Sequence, residues 1–225
     1  MKLLICFQKA EVVRHLGHLD LQRAMQRALR RSGLPVRYSQ GFHPHMLTSF
    51  ASALSMGVSS RGEVVEVSLS APVTQEEALA RLSAVLPEAL APLAVALAED
   101  THPAPMGLLK QATYEVLLPG TPPQTLAPAV SALLAQAQVM AMRKTKSGEK
   151  LTDIRPMLHA LTLEEAPEGA RLCMRVSLEE TATLKPELVL SVLAAQSGLS
   201  LPAPRIVRTG LWGLTDGQPV PLMTL

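Results

Sequence analysis

The sequence predicts an α+β protein built from two tandem ferredoxin-like (βαββαβ) units with elaborated hairpins. Both halves of the 225-residue chain show the same order of segments: strand, helix, strand, polar loop, strand, strand, helix and strand. Helices that interrupt short strands at this spacing favour small α+β sandwiches. A proline-containing connector at 100–110 separates the halves, which predicts domains at 1–100 and 111–212 and a loose tail at 213–225.

The first half is predicted to contain an arginine-rich helix and several short strands. The segment 18–32 is predicted to be helical because Leu21, Met25 and Leu29 recur on one face. Gly33 follows directly, as expected of a residue that ends a helix. A turn-rich stretch interrupts the strands at 39–45. The predicted strands lie at 3–9, 36–39, 47–56, 63–70 and 93–98.

A capping box begins the second helix, and the second half then repeats the pattern of the first. Thr74 and Glu77 have the spacing of a capping box and precede an apolar periodic segment. In the second half, helices are predicted at 124–137 and 186–197, the latter ending at Gly198. The predicted strands lie at 112–118, 138–144, 157–163, 171–178 and 204–211.

The composition excludes several classes of protein. With 48% hydrophobic and 18% charged residues, the chain is globular rather than disordered. Its apolar runs end well short of the roughly 18 residues that span a bilayer, and the N-terminal apolar segment is too short for a signal peptide. Two cysteines, Cys6 and Cys173, cannot form a disulfide framework or supply four thiolates to an iron–sulfur cluster. We therefore expect a cytoplasmic protein with no membrane contact.

The small net charge of +2 conceals a segregated charge distribution. Residues 1–61 carry nine Lys and Arg against two acidic residues, whereas residues 62–100 carry one base against seven acids. A second basic segment, with five bases against two acids, runs from Arg143 to Arg155. Such segregation is typical of a chain that meets a polyanion at one surface.

Helix 18–32 carries arginines away from its apolar stripe. Arg23, Arg27 and Arg30 fall at i, i+4 and i+7, so each can contact a phosphate and release counterions from a nucleic acid. The alternative is an ordinary solvated helix face, which carries both acidic and basic residues. In this helix, however, Asp20 is the only acidic residue. The residues predicted to contact phosphates in this half are Arg14, Arg23, Arg27, Arg30, Arg31 and Arg37.

The loop 39–45, Ser-Gln-Gly-Phe-His-Pro-His, is predicted to present polar side chains together. Gln40, His43 and His45 are predicted to orient an RNA substrate, because imidazoles act as hydrogen-bond donors, acids or bases. No metal site is predicted, since a His-x-His pair without cysteine partners leaves the ligand set incomplete. The candidates for acid and base catalysis, as an alternative role, are His15, His18 and His43.

The segment 143–156 is predicted to form a mobile basic hairpin. Lysines flank a Ser-Gly turn, and the segment continues into Asp-Ile-Arg-Pro. An ordinary surface turn is the alternative. The residues predicted to close over RNA are Lys144, Lys146, Lys150 and Arg155.

Several of these motifs occur together and in order in a known family. They are His18-Leu-Asp-Leu before the arginine-rich helix, the stretch Tyr38-Ser-Gln-Gly-Phe-His-Pro-His45, the Met56-Gly-Val segment, and Lys-Ser-Gly-Glu-Lys followed by Asp153-Ile-Arg-Pro. Over roughly 1–210 the chain resembles the radical-SAM-associated domain of unknown function, which is often fused behind, or encoded beside, cobalamin-binding-type radical SAM proteins. The resemblance implies a radical SAM partner and a link to RNA or the ribosome. It implies no catalytic residues.

Three functions are therefore open at this point. The leading hypothesis is an RNA-binding accessory protein that presents tRNA or ribosomal RNA to a radical SAM modification enzyme acting in trans. It needs no cofactor of its own, because the iron–sulfur cluster and SAM are expected on the partner. The second is a metal-independent endoribonuclease, by analogy with tandem ferredoxin-like RNA-processing enzymes. The third is a protein adaptor that docks a basic partner through the acidic region 62–100.

Overall fold

The computed structural model describes residues 1–145 and 148–225, which form two compact units. The first unit comprises Met1–Leu109 and Gly210–Leu225, and the second comprises Lys110–Thr209. Both units contain strands and helices, which confirms the predicted α+β class. The C-terminal residues belong to the first unit instead of following the second as a separate tail.

Strands and helices are numbered here in chain order over the described residues. The strands are β1 Lys2–Lys9, β2 Thr48–Phe50, β3 Val58–Ser68, β4 Pro92–Ala98, β5 Gln111–Pro119, β6 Met140–Thr145, β7 Gly148–Asp153, β8 Leu158–Ala166, β9 Gly169–Ser177, β10 Arg205–Thr215 and β11 Gln218–Pro221. The α-helices are α1 His18–Ser32, α2 Gln75–Val85, α3 Pro105–Leu108, α4 Pro123–Ala135 and α5 Pro186–Ser197.

The first unit has an antiparallel sheet with the order β4-β1-β3-β2. Ile5 on β1 pairs with Val65 on β3, and Leu3 pairs with Val67 on the same face of the sheet. All four side chains are fully buried, and α1 and α2 contribute to the same core cluster. The first unit therefore has a hydrophobic core between its sheet and these two helices, which fixes the position of α1.

Helix α1 follows the predicted boundaries because its signals are local. Its buried residues Leu21, Met25 and Leu29 recur at four-residue steps and pack into the core. Gly33 adopts a left-handed conformation with φ of 66° and ends the helix as predicted. In α2 the predicted cap is also confirmed, since the Thr74 side chain accepts a hydrogen bond from the backbone N–H of Glu77 at 3.1 Å.

The second unit has an antiparallel sheet in which β9 lies between β5 and β8. The first part of β10 lies beside β5, where the Thr209 hydroxyl donates to the Thr113 hydroxyl at 2.9 Å. Alternate residues of β5 and β9 are buried, as the alternating pattern of the sequence predicts. The segment 143–156 forms most of a separate two-stranded sheet of β6 and β7.

Two predicted strands of the first half are shorter in the structure. The predicted strand 36–39 is reduced to isolated bridges that join Val36 to Leu69 and Tyr38 to Met46. Of the predicted strand 47–56, residues 48–50 form β2, which pairs with the C-terminal part of β3. In these segments Val36 and Leu54 are buried, whereas Tyr38 and Met56 are exposed.

The predicted loose tail at 213–225 is wrong. Residues 218–221 form β11, which pairs with the end of β10, and Leu222 is buried. Asp216 and Gly217 both have positive φ, 50° and 76°, and connect the two strands as a two-residue turn. The chain ends against the connector of the same unit, where the His102 ring Nε2 lies 2.8 Å from the backbone oxygen of Leu225.

Candidate nucleic-acid interface

The outer face of α1 carries three exposed arginines. Arg23, Arg27 and Arg30 lie opposite the buried stripe, separated along the helix axis by about 6 and 4.5 Å at 1.5 Å per residue. Arg23 contacts Asp20 at 3.2 Å in an exposed i,i+3 pair, which leaves most of its guanidinium in solvent. Arg27 and Arg30 form no hydrogen bond or ion pair with the described residues, so both are free for an external anion.

The other predicted arginines of this half are held by the protein itself. Arg31 donates to the backbone oxygen of Val85 at 2.9 Å, so it joins α1 to α2. Arg37 donates to the backbone oxygen of Leu69 at 2.9 Å and contacts Asp100 at 3.2 Å. Arg14 forms an ion pair with Glu11. These contacts leave fewer donors for a ligand than the sequence suggests.

The acidic region 62–100 neutralises part of the basic segment in the folded unit. Glu66 pairs with Lys2 at 3.3 Å, and Asp100 pairs with the N-terminal amine at 2.7 Å. Hydrogen bonds from that amine and from Arg37 hold the pKa of Asp100 below its ordinary value. Charges that are segregated along the sequence are therefore partly interleaved in space, whereas the outer face of α1 keeps three exposed arginines.

The loop 39–45 is closed by hydrogen bonds between its two ends. The backbone N–H of Ser39 donates to the backbone oxygen of His45 at 2.8 Å. The Ser39 hydroxyl accepts from the His45 backbone N–H at 3.1 Å and lies 2.8 Å from His45 Nδ1. Gln40 and His43 are exposed between these ends. The three residues predicted to orient a substrate therefore lie on one closed loop, with the His45 ring held by Ser39.

Sequence reasoning missed the aromatic residue at the tip of this loop. Phe42 is fully exposed, and Tyr38 at the base of the loop is 40% exposed. The aromatic content of 3% indicates only that a stacking surface of the kind most single-strand binders use is largely missing. The available signal was the position of Phe42 between Gly41 and His43 in a turn that has no apolar periodicity.

The three histidines considered for catalysis occupy different settings. His15 is exposed and its Nε2 accepts a hydrogen bond from Arg14 Nε at 3.1 Å. His18 begins α1, and its ring packs edge-on against Phe50 with centroids 5.3 Å apart. His43 lies on the loop 39–45. No hydrogen bond within the described ranges joins any two of these three side chains, so the structure does not assemble an acid–base pair from them.

Among the described side chains of the basic hairpin in the second unit, Lys150 is an exposed cation. Lys150 on β7 is exposed, and the backbone of Lys144 pairs with Glu149 across the hairpin. Lys146 lies outside the described residues. The Arg155 guanidinium donates to the backbone oxygens of Leu158 and Leu134, so its side chain is engaged within the second unit.

Asp153 has a structural role at the end of this hairpin. Its carboxylate oxygen Oδ1 accepts hydrogen bonds from the backbone N–H groups of Val139 and Arg155 at 2.9 and 3.0 Å. Both bonds satisfy backbone donors where β7 gives way to a 3-10 turn. The carboxylate therefore fixes the direction of the chain at this turn.

The two cysteines lie in different units. Cys6 is on β1, and burial together with the Glu63 carboxylate raises its pKa to about 11. Cys173 is on β9, where burial is the largest cause of a raised pKa. A raised pKa keeps a thiol protonated near neutral pH and disfavours thiolate chemistry. Within residues 1–145 and 148–225 no three His, Cys, Asp or Glu side chains cluster as metal ligands, and no helix there is long and apolar enough to span a bilayer.

His159 in the second unit gives the first testable prediction. Its Nε2 lies 2.9 Å from the Ser177 hydroxyl, and partial burial of the ring, reinforced by the Arg175 charge, lowers its pKa below the ordinary value of 6.5. Because the unfolded chain then binds a proton more readily than the folded chain, stability is full above about pH 6.5 and falls as the pH drops toward the folded pKa. Urea unfolding at pH 7.5 and 5.5 is expected to show a smaller pH-dependent loss in His159→Asn than in the wild type. Equal losses would contradict the assignment.

These features define an α+β protein with an arginine face on one helix and a closed, aromatic-tipped loop in the same unit. Residues 2–186 match the family described as "Uncharacterized protein conserved in bacteria (DUF2344)", and the chain belongs to that family. No curated protein matches the sequence.

The chain resembles solved structures at low sequence identity. A chain of the crystal structure of a Cbf5–Nop10–Gar1 complex is similar, with a TM-score of 0.53 and 10% identity. The match covers 93% of this chain and 48% of that chain, so the protein spans about half the length of its structural neighbour. At this identity the likeness concerns the fold alone.

Proposed function

We propose that this protein is an RNA-binding accessory protein that presents tRNA or ribosomal RNA to a radical SAM modification enzyme acting in trans. The observation that carries the RNA-binding part is the exposed face of α1. There Arg23, Arg27 and Arg30 lie within about 11 Å along the axis, and two of the three have no partner among the described residues. Guanidinium groups so placed suit successive backbone phosphates.

The radical SAM part of the proposal rests on the sequence motifs shared with radical-SAM-associated domains. The cysteines of this chain are compatible with an iron–sulfur cluster that is held by the partner enzyme. Cys6 and Cys173 lie in separate units and have raised pKa values, so neither is poised as an iron–sulfur ligand. The cluster and SAM would reside on the partner enzyme, and this chain would supply RNA affinity and orientation.

We also propose that each unit is a ferredoxin-like βαββαβ unit. Support for the first comes from its strand order β4-β1-β3-β2, with α1 after β1 and α2 after β3. The second unit has the strand order β10-β5-β9-β8, with α4 after β5 and α5 after β9. This is the same scheme when the hairpin of β6 and β7 is counted as an insertion.

Equilibrium binding to single-stranded and structured RNA, titrated with salt, tests the proposal. Each phosphate neutralised on a single strand contributes about 0.7 to the slope of log affinity against log salt concentration, so the three α1 arginines predict a slope of about −2 or steeper. Fluorescence anisotropy of labelled tRNA, ribosomal RNA fragments and duplex DNA of equal length measures the slope and the preference for RNA. Absence of binding at low salt, or a slope near zero, would contradict RNA binding by this chain.

The same samples separate the other two functions. An endoribonuclease would shorten the RNA in EDTA, and substitution of His15, His18 or His43 by alanine would stop the cleavage. An adaptor would capture a radical SAM enzyme from a defined mixture after nuclease treatment and would show no RNA affinity. Intact RNA with salt-dependent binding is the expected result.

A further inference from the structure

Phe42 is the most exposed large hydrophobic residue among the described ones. Its side chain is 102% exposed relative to a reference residue, whereas Phe7 and Phe50 are buried and pack edge to face with centroids 6.1 Å apart. Burying a phenylalanine side chain stabilises a protein, so leaving it in water forgoes that gain. The exposure is fixed by the hydrogen bonds between Ser39 and His45 that close the loop.

Gln40 and His43 beside Phe42 are polar, and Gly41 and Pro44 add no large apolar side chain, which distinguishes the site from a protein-docking anchor. An aromatic anchor for a protein partner is normally surrounded by further apolar contacts that exclude water. Here the neighbours in the loop are Gln40, Gly41, His43 and Pro44, and all four are exposed. A nucleobase matches this arrangement, because its face is apolar and polarisable while its edge carries hydrogen-bond donors and acceptors.

We propose that Phe42 is a stacking platform for an unpaired nucleobase of the bound RNA, and that Gln40 and His43 contact the edge of that base. The inference rests on the proposed RNA binding and adds the class of RNA, namely one with an unpaired base in a loop or bulge. The arginines of α1 would supply affinity that does not depend on base pairing, while Phe42 would select single-stranded positions.

The experiment uses RNA hairpins with one 2-aminopurine, placed either in the loop or in the stem. Stacking on Phe42 is expected to change the fluorescence of the loop probe and to leave the stem probe unchanged. Phe42→Ala and Phe42→Leu are expected to weaken binding of the loop RNA by about 5- to 150-fold, the range for one lost base–aromatic stack. Phe42→Trp is expected to keep the affinity, because the indole also offers a π-face.

Met56→Ala is the matched control, because Met56 is an exposed apolar residue of the same unit. Since both side chains are in solvent, circular dichroism and thermal unfolding of all variants are expected to match the wild type. Salt-dependent binding that is equal in the wild type and Phe42→Ala would overturn the stacking inference and leave the RNA-binding proposal intact. No RNA binding by the wild type would overturn both. Capture of a radical SAM enzyme that is lost in Phe42→Ala, with RNA binding unchanged, would assign the residue to a protein contact and overturn the inference.

Discussion

Replacing Gly169 with alanine is expected to lower the free energy of unfolding by about 3–5 kcal/mol. Gly169 begins β9, pairs with Pro119 and has φ of 145°, a conformation that L-residues rarely adopt. A Cβ atom there would lie 2.3 Å from the backbone oxygen of Leu118 and 2.9 Å from the backbone nitrogen of Gly120. The first atom belongs to the end of β5 and the second to the residue that follows it, so relief requires the ladder of β5 and β9 to separate.

Thermal and urea unfolding of Gly169→Ala are compared with those of a variant in which alanine replaces a glycine with open space around it. Gly107 is the control, because nothing lies within 4 Å of a Cβ built there and its φ is not in the left-handed region. Gly169→Ala is expected to lower the melting temperature by on the order of 10 °C, and Gly107→Ala is expected to leave it nearly unchanged. Equal melting temperatures for the two variants would mean that the turn at Gly169 adjusts without cost.

Local signals account for the elements that the sequence predicted well. Helices α1 and α5 have the predicted boundaries because an apolar period lies between a defined start and a glycine with positive φ, Gly33 or Gly198. The error in the tail also concerns a local signal. Asp-Gly at 216–217 is a strong signal for a two-residue hairpin turn. The few residues that follow show no periodicity, and this absence led to the prediction of a loose tail.

Long-range contacts account for what the sequence could not predict about the candidate site. Helical spacing was sufficient to place Arg23, Arg27 and Arg30 on one face. Which other arginines remain available depends on residues far along the chain, such as Val85 for Arg31 and Asp100 for Arg37. No pattern within a window of the sequence contains those pairings, because they form only when the sheet and helices of the first unit pack.

Neutralising two arginines on α1 is expected to weaken RNA binding about 25-fold at 0.1 M salt. At about 0.7 per phosphate, each arginine contributes a factor of about five between 0.1 and 1 M salt, so two contribute about 25. Arg27 and Arg30 are the choice, because neither has a partner among the described residues that its loss would disturb. Glutamine has nearly the helix propensity of arginine, so Arg27→Gln with Arg30→Gln leaves α1 intact.

A control with the same change in net charge separates a local contact from a general electrostatic effect. Lys110 and Arg205 are suitable, since each already pairs with a carboxylate, Glu179 at 3.2 Å and Glu168 at 2.8 Å. Their double substitution by glutamine is expected to change RNA affinity only slightly. The α1 variant is also expected to lose about 1.4 from the salt slope and to approach wild-type affinity near 1 M salt, which a folding defect would not reproduce. Equal losses in the two double variants would show that α1 is not the surface that contacts phosphate.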